Sequence, residues 1–127
     1  MTRLITDTNV FLRFLLNDNT QQYKQATNIF RKAKEKKIEL IVPQIIIFEI
    51  CFALEKYYQL SKEQVIEKLK AIVSADYFQV QDREVFNTAL GLYKMKNVSF
   101  VDCFLISQAK MKGSELFTFD KDLPKLV

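Results

Sequence analysis

The sequence predicts an α/β fold with a mainly parallel sheet covered by helices on both faces. Three observations carry that prediction. Short, almost continuously apolar segments such as "IELIV" alternate with longer stretches whose apolar residues recur three or four positions apart. The longer stretches begin on helix-capping residues, and the short ones have the uninterrupted apolar character of strands buried on both faces. Strands that alternate with helices pair in parallel, because each return crossing needs a helix-length connection. With only two Gly and two Pro in 127 residues, no linker is visible, and one domain spanning 1–127 is expected.

The elements follow in order. "RLIT" is a short strand, and "VFLRFLLN" after Asn9 has the apolar density of a buried helix. From Thr20, the positions Tyr23, Ala26, Phe30 and Ala33 mark an amphipathic helix that runs to about Lys37 with its basic face outward. "IELIV" is the next strand, and Pro43 suits the first turn of a helix reaching about Tyr58. Ser61 and Gln64 are spaced as a capping box before "VIEKLKAIV". "YFQV" is a third strand, Asp82 and Ser99 are caps for two further helices, Gly113 terminates the second of these, and "ELFTF" is a fourth strand.

Composition excludes several kinds of chemistry. The chain has no His, which removes imidazole acid-base catalysis, Ser-His-Asp triads and His-ligated zinc. Cys51 and Cys103 form no ligand motif and lie in apolar surroundings, as buried free thiols do. The longest apolar run, "IIIFEICFAL", is broken by Glu49 and falls short of the roughly 20 residues of a bilayer span. No membrane association is expected, and without a secretory signal pattern the expected location is the cytoplasm. A net charge of +4 and a pI near 9.0 favour polyanionic partners only mildly, but the basic residues concentrate in "RKAKEKK" from Arg31 to Lys37.

Hydrolytic chemistry in such a chain must rest on carboxylates, and four stand out. Asp7 follows the first strand and Asp120 the last, at the carboxyl strand ends where sites form in parallel sheets. Glu49 lies in a helix with apolar residues Ile45, Ile46, Phe52 and Ala53 on its face, so it is expected to be buried. Asp102 lies in the first turn of its helix beside Val101 and Cys103, and it too is expected to point toward buried surroundings. Each has a structural alternative. Asp7 could cap a helix, Asp102 could form a capping-box variant with Ser99, and Asp120 could open the turn "DKD". Taken jointly, converging carboxylates would repel one another unless a cation lay between them. Mg²⁺ or Mn²⁺ would remove that conflict and would activate water for phosphodiester hydrolysis.

The strings "DTNVFLRFL", "FVDCFLISQA" and "TFDKDL", with a lone Glu49 in an apolar helix, resemble the PIN-domain ribonucleases, and among them the VapC-type toxins of toxin-antitoxin pairs. The resemblance spans nearly the whole chain. It implies a three-layer α/β/α PIN-like domain with a central, mainly parallel sheet of about four to five strands. It also implies a metal-dependent endoribonuclease site made by Asp7, Glu49, Asp102 and Asp120, with Asp122 in reserve for the fourth acid. Asn9, Ser99 and Thr118 match supporting polar positions. A small antitoxin and a second copy of the chain are the partners the resemblance implies, with structured RNA such as transfer RNA as substrate. Arg13 near the first motif, and Arg31, Lys32 and Lys34 in the basic stretch, are candidate RNA contacts; the stretch also reads as a solvated helix face.

Two other functions fit parts of the pattern. A haloacid-dehalogenase-like Mg²⁺-dependent phosphatase also places an Asp at a strand end, but it needs a second Asp two residues on, where this chain has Asn9. A module of the same fold that binds RNA or protein without cutting would need no acid set.

Overall fold

The computed structural model describes residues 1–123, which form two compact units, Met1–Gln81 and a second beginning at Asp82. In the first unit the order is β1 (Thr2–Ile5), α1 (Thr8–Leu16), α2 (Thr20–Lys34), β2 (Ile38–Val42), α3 (Gln44–Phe52), α4 (Lys62–Val73) and β3 (Phe78–Val80). A π-helical turn, Ala53–Tyr57, continues α3. The second unit holds α5 (Arg83–Met95) and α6 (Phe100–Met111).

The strands pair in parallel in the order β1-β2-β3, with Leu4 opposite Leu40 and Leu40 opposite Phe78. That register sets one row of side chains on one face of the sheet, because successive strand residues point to opposite sides. Helical rings close over this row. Phe11 of α1 and Phe30 of α2 lie 5.3 Å apart, and both reach Phe78, at 5.8 and 4.9 Å between centroids. Leu40, Val42, Ile47, Ile50, Leu54 and Leu69 are fully buried around them. Aromatic pairs at these spacings add to the apolar area they remove from water.

The expected class holds: an α/β fold with a parallel sheet among helices, consistent with the three-layer α/β/α PIN-like expectation. The strand count differs, with three strands among the described residues in place of four to five. "ELFTF" forms no strand, and Phe117 and Phe119 are 85 % and 92 % exposed. Apolar character alone does not make a strand, because its backbone groups need a ladder partner.

Local signals were read well where a side chain meets its own backbone. Ser61 and Gln64 make the full capping box of α4, Ser99 caps α6, and Gly113 at φ +67° follows the end of α6 in the left-handed region that glycine adopts without strain. Asp82 is different. It adopts φ +58° and makes no side-chain cap on α5; its carboxylate lies 3.7 Å from Lys112. In the second unit, Phe86 packs on Phe100 and Phe104 at 6.1 and 4.7 Å, and Tyr93 meets Phe100 at 5.6 Å, which pairs α5 with α6.

Candidate active site

β1 ends at Ile5, and Asp7 opens α1 two residues later, past the carboxyl edge of the sheet. Its Oδ1 accepts a long hydrogen bond, 3.4 Å, from the Val10 amide, so Asp7 is a helix cap in this unit. The cap does not use the residue up. Asp7 is exposed and lines a cavity of about 370 Å³ together with Thr6, Asn9, Arg13, Gln22 and Gln25. Asn9, expected as a support for the acid, therefore shares its cavity.

Arg13 stands one and a half turns along α1 and is held from two sides. Its Nη1 lies 3.2 Å from Asp18, and its Nη2 donates to the Tyr58 hydroxyl. Tyr58 follows the π-helical turn, whose wider winding carries the Tyr58 amide to the Ala53 carbonyl at 2.9 Å. Arg13, Asn9 and Tyr58 also line a second cavity of about 540 Å³ with Phe52 and Tyr57.

Glu49 departs from expectation. It is exposed, and Ile45 and Phe52 on its face are 59 % and 66 % exposed. Because α3 is apolar all round, periodicity could not say which stripe faces the core; Ile46, Ile47, Ile50 and Cys51 do. The buried polar group nearby is Cys51, whose Sγ lies 2.8 Å from Glu55 Oε1. Burial first, then the hydrogen bond and negative charge of Glu55, push this thiol far above its ordinary range.

In the second unit, Asp102 is half-buried in the first turn of α6, where its amide donates to the Ser99 hydroxyl at 3.2 Å. The expectation of buried surroundings is met only in part, since Val101 and Leu105 beside it are exposed. Asp120 follows no strand. It sits in a turn: its amide donates to Thr118 Oγ1 at 3.0 Å, and its Oδ1 accepts from the Asp122 amide at 2.9 Å. Within neither unit are three or more His, Cys, Asp or Glu side chains gathered about one point among the described residues.

The donor set nevertheless has a definite chemistry. With no His in the chain and both thiols buried, oxygen is what the chain offers a cation, which suits a hard, oxygen-preferring metal.

The basic stretch lies elsewhere. α2 carries it to the start of β2, which pairs with the start of β1, so Arg31, Lys32 and Lys34 stand at the amino edge of the sheet, opposite Asp7. There the Arg31 guanidinium bonds Asn28, and Lys34 lies 5.9 Å over the Tyr77 ring. Sequence reading missed Thr6, Asp18, Gln22, Gln25 and Tyr58. Only Thr6, adjacent to Asp7, carried a usable signal; Gln22 and Gln25 reach its cavity through the packing of α2, whereas Asp18 and Tyr58 act through Arg13.

An acid at the end of the first parallel strand, an amide two residues on, and a cavity beneath them define a strand-end site of the α/β class. Residues 4–127 match the PIN domain family, and the chain belongs to that family. It is similar to a VapC ribonuclease of Aquifex aeolicus (strain VF5), with 28 % identity over 123 residues, covering 96 % of this chain and 90 % of the relative.

Proposed function

We propose that the chain is a metal-dependent endoribonuclease that hydrolyses RNA phosphodiester bonds, and that it is the toxin of a toxin-antitoxin pair. The observation that carries this reading is the exposed carboxylate of Asp7, set over a cavity at the carboxyl edge of a PIN-domain sheet. The similarity to a VapC ribonuclease supports RNA as the substrate, with a small antitoxin as partner. A homodimer and a cytoplasmic location belong to the same proposal. Among the described residues no helix is long and apolar enough to cross a membrane. Membership of the PIN family removes the reason to consider a haloacid-dehalogenase-like phosphatase.

Asp7, Glu49, Asp102 and Asp120 would hold Mg²⁺ or Mn²⁺, with Asp122 the alternative fourth acid and Asn9, Ser99 and Thr118 as supports. Such a cation, when bound, lowers the pKa of water and offsets charge on the reacting phosphate. The chain's own contribution is to hold the carboxylates. The Val10 amide fixes one Asp7 oxygen and leaves the other available, and Ser99 fixes the helix start that carries Asp102. Asn9 presents an amide in the same cavity, able to donate to a phosphate oxygen or accept from water.

Asp7→Asn tests the reading cleanly. Asn caps a helix about as well as Asp, so the substitution keeps the fold while removing the charge. Purified protein should cleave RNA with Mn²⁺, and Asp7→Asn should not; undiminished cleavage by a folded variant would remove Asp7 from the chemistry.

A further inference from the structure

We propose that the cavity beside Asp7 is a phosphate subsite, in which Arg13 and Thr6 hold a backbone phosphate of the RNA next to the one that is cut. The inference rests on the nuclease reading above and names how that site grips its substrate. Two buried polar atoms carry it. Thr6 Oγ1 and Arg13 Nε are both shielded from solvent, both lack a hydrogen-bond partner, and both residues line the same cavity of about 370 Å³. An unsatisfied buried donor costs about 1–3 kcal/mol, and both atoms belong to residues that line one cavity, so an acceptor that entered it and displaced the side chains covering them would recover that cost.

The chemistry of these atoms selects the ligand. A guanidinium can only donate, and a hydroxyl can donate, so their common complement is an acceptor with several lone pairs. A phosphodiester oxygen is such an acceptor, and charge-assisted bonds from arginine to phosphate are among the strong ones.

Arg13 is also prepared for the task. Its side chain is 20 % exposed, with Nη1 on Asp18 and Nη2 on Tyr58. These tethers fix the rotamer and leave Nε unengaged, so little side-chain entropy is lost when a phosphate arrives. Arg13 lies six residues beyond Asp7, roughly 9 Å of helical rise, which suits a phosphate neighbouring the reacting one. Gln22 and Gln25 line the same cavity and can donate to the same group, while Leu4, Val10, Ala26 and Ile29 give it an apolar side and the Asp7 carboxylate sets where a phosphate does not go.

The test separates binding from cutting. Affinity for a short fluorescein-labelled single-stranded RNA is measured by anisotropy in EDTA across a salt series, for wild type, Arg13→Gln, Arg13→Lys and Thr6→Val. Arg13→Gln should raise Kd about tenfold, and its log-log salt slope should be shallower by about 0.7, the loss of one phosphate contact on a single strand. Thr6→Val keeps the β-branched shape and should raise Kd about threefold with the slope unchanged. Arg13→Lys keeps the charge, so its slope should stay near wild type while affinity falls. If Arg13→Gln does not fold, the other two variants carry the test.

Unchanged Kd in the folded variants would overturn the proposal. So would an affinity loss in Arg13→Gln with no change of slope, since that marks packing and not phosphate contact, or Arg13-dependent binding of a glutamate-rich peptide in place of RNA. Arg13-dependent RNA binding in EDTA without Mn²⁺-dependent cleavage would leave the phosphate site standing and sink the nuclease reading alone.

Discussion

The two edges of the parallel sheet handle positive charge in opposite ways. At the amino edge, Arg31, Lys32, Lys34, Lys36 and Lys37 are exposed, and Lys37 pairs at the surface with Glu35. At the carboxyl edge, Arg13 is mostly buried, tethered by Asp18 and Tyr58, and adjoins the cavity of Asp7. Charge density marks the first edge and preorganisation the second. A solvated lysine attracts a phosphate at long range but loses chain entropy when it grips one; a held arginine has lost most of that entropy already.

The contrast can be broken most forcefully at the acids. Asp7→Asn at the carboxyl edge should lower the initial rate of Mn²⁺-dependent RNA cleavage by on the order of a hundred- to a thousandfold, the scale of a lost charge-stabilising group. Glu39→Gln at the amino edge, which removes only the exposed pair with Arg3 at 3.4 Å, should leave the rate unchanged.

A smaller effect separates the cations. Asp18→Asn and Tyr58→Phe each loosen Arg13 while keeping its charge, and RNA affinity in EDTA should fall about threefold in each, since a side-chain hydrogen bond is worth about 1 kcal/mol. Substituting Arg31, Lys32 and Lys34 together by Gln should change affinity for a short RNA by less than about twofold, as the tract stands at the other edge. A greater loss than that from the tract would mean that RNA follows the amino edge, and the comparison would reverse.

Two further changes reach the scaffold common to both edges. Ser61→Ala removes the capping box of α4 and should cost about 1 kcal/mol in denaturant unfolding without altering RNA affinity. Cys51 gives a pH dependence of known sign. Its thiol is raised in the folded state by burial and by Glu55, so the neutral form is favoured. The stability this contributes is fully present below the unfolded thiol's pKa, about 8.5, and is lost as pH rises above it. Glu55→Gln should make that loss shallower. Alkylation of Cys51 by iodoacetamide at pH 8 should be slow in the folded protein and fast after unfolding.

Much of the fold was legible because the deciding interactions are local. "IELIV" became β2 over the same residues, the Ser61–Gln64 spacing became a closed capping box, and Ser99 and Gly113 bound α6 as read. What failed needed a partner distant in sequence. "ELFTF" has the apolar character of a strand but no ladder among the described residues. Glu49 sits in a helix whose apolar residues ring it completely, so its exposure depended on what packs against α3. Asp82 had the residue type of a cap but not the backbone, since its φ is positive.

The sequence by itself determined the chemical vocabulary: carboxylates without imidazole, an acid directly after the first strand, and the PIN-family pattern that runs through the chain. Chemistry of that kind is a property of residue type and short spacing, which a sequence carries in full. Tertiary structure decided which cation adjoins Asp7, that Thr6 and Arg13 share its cavity with unpaired buried donors, and that the densest basic stretch lies at the far edge. Those outcomes depend on where helix α2 and the π-helical turn after α3 pack against α1, and packing is settled by burial among residues far apart in the chain.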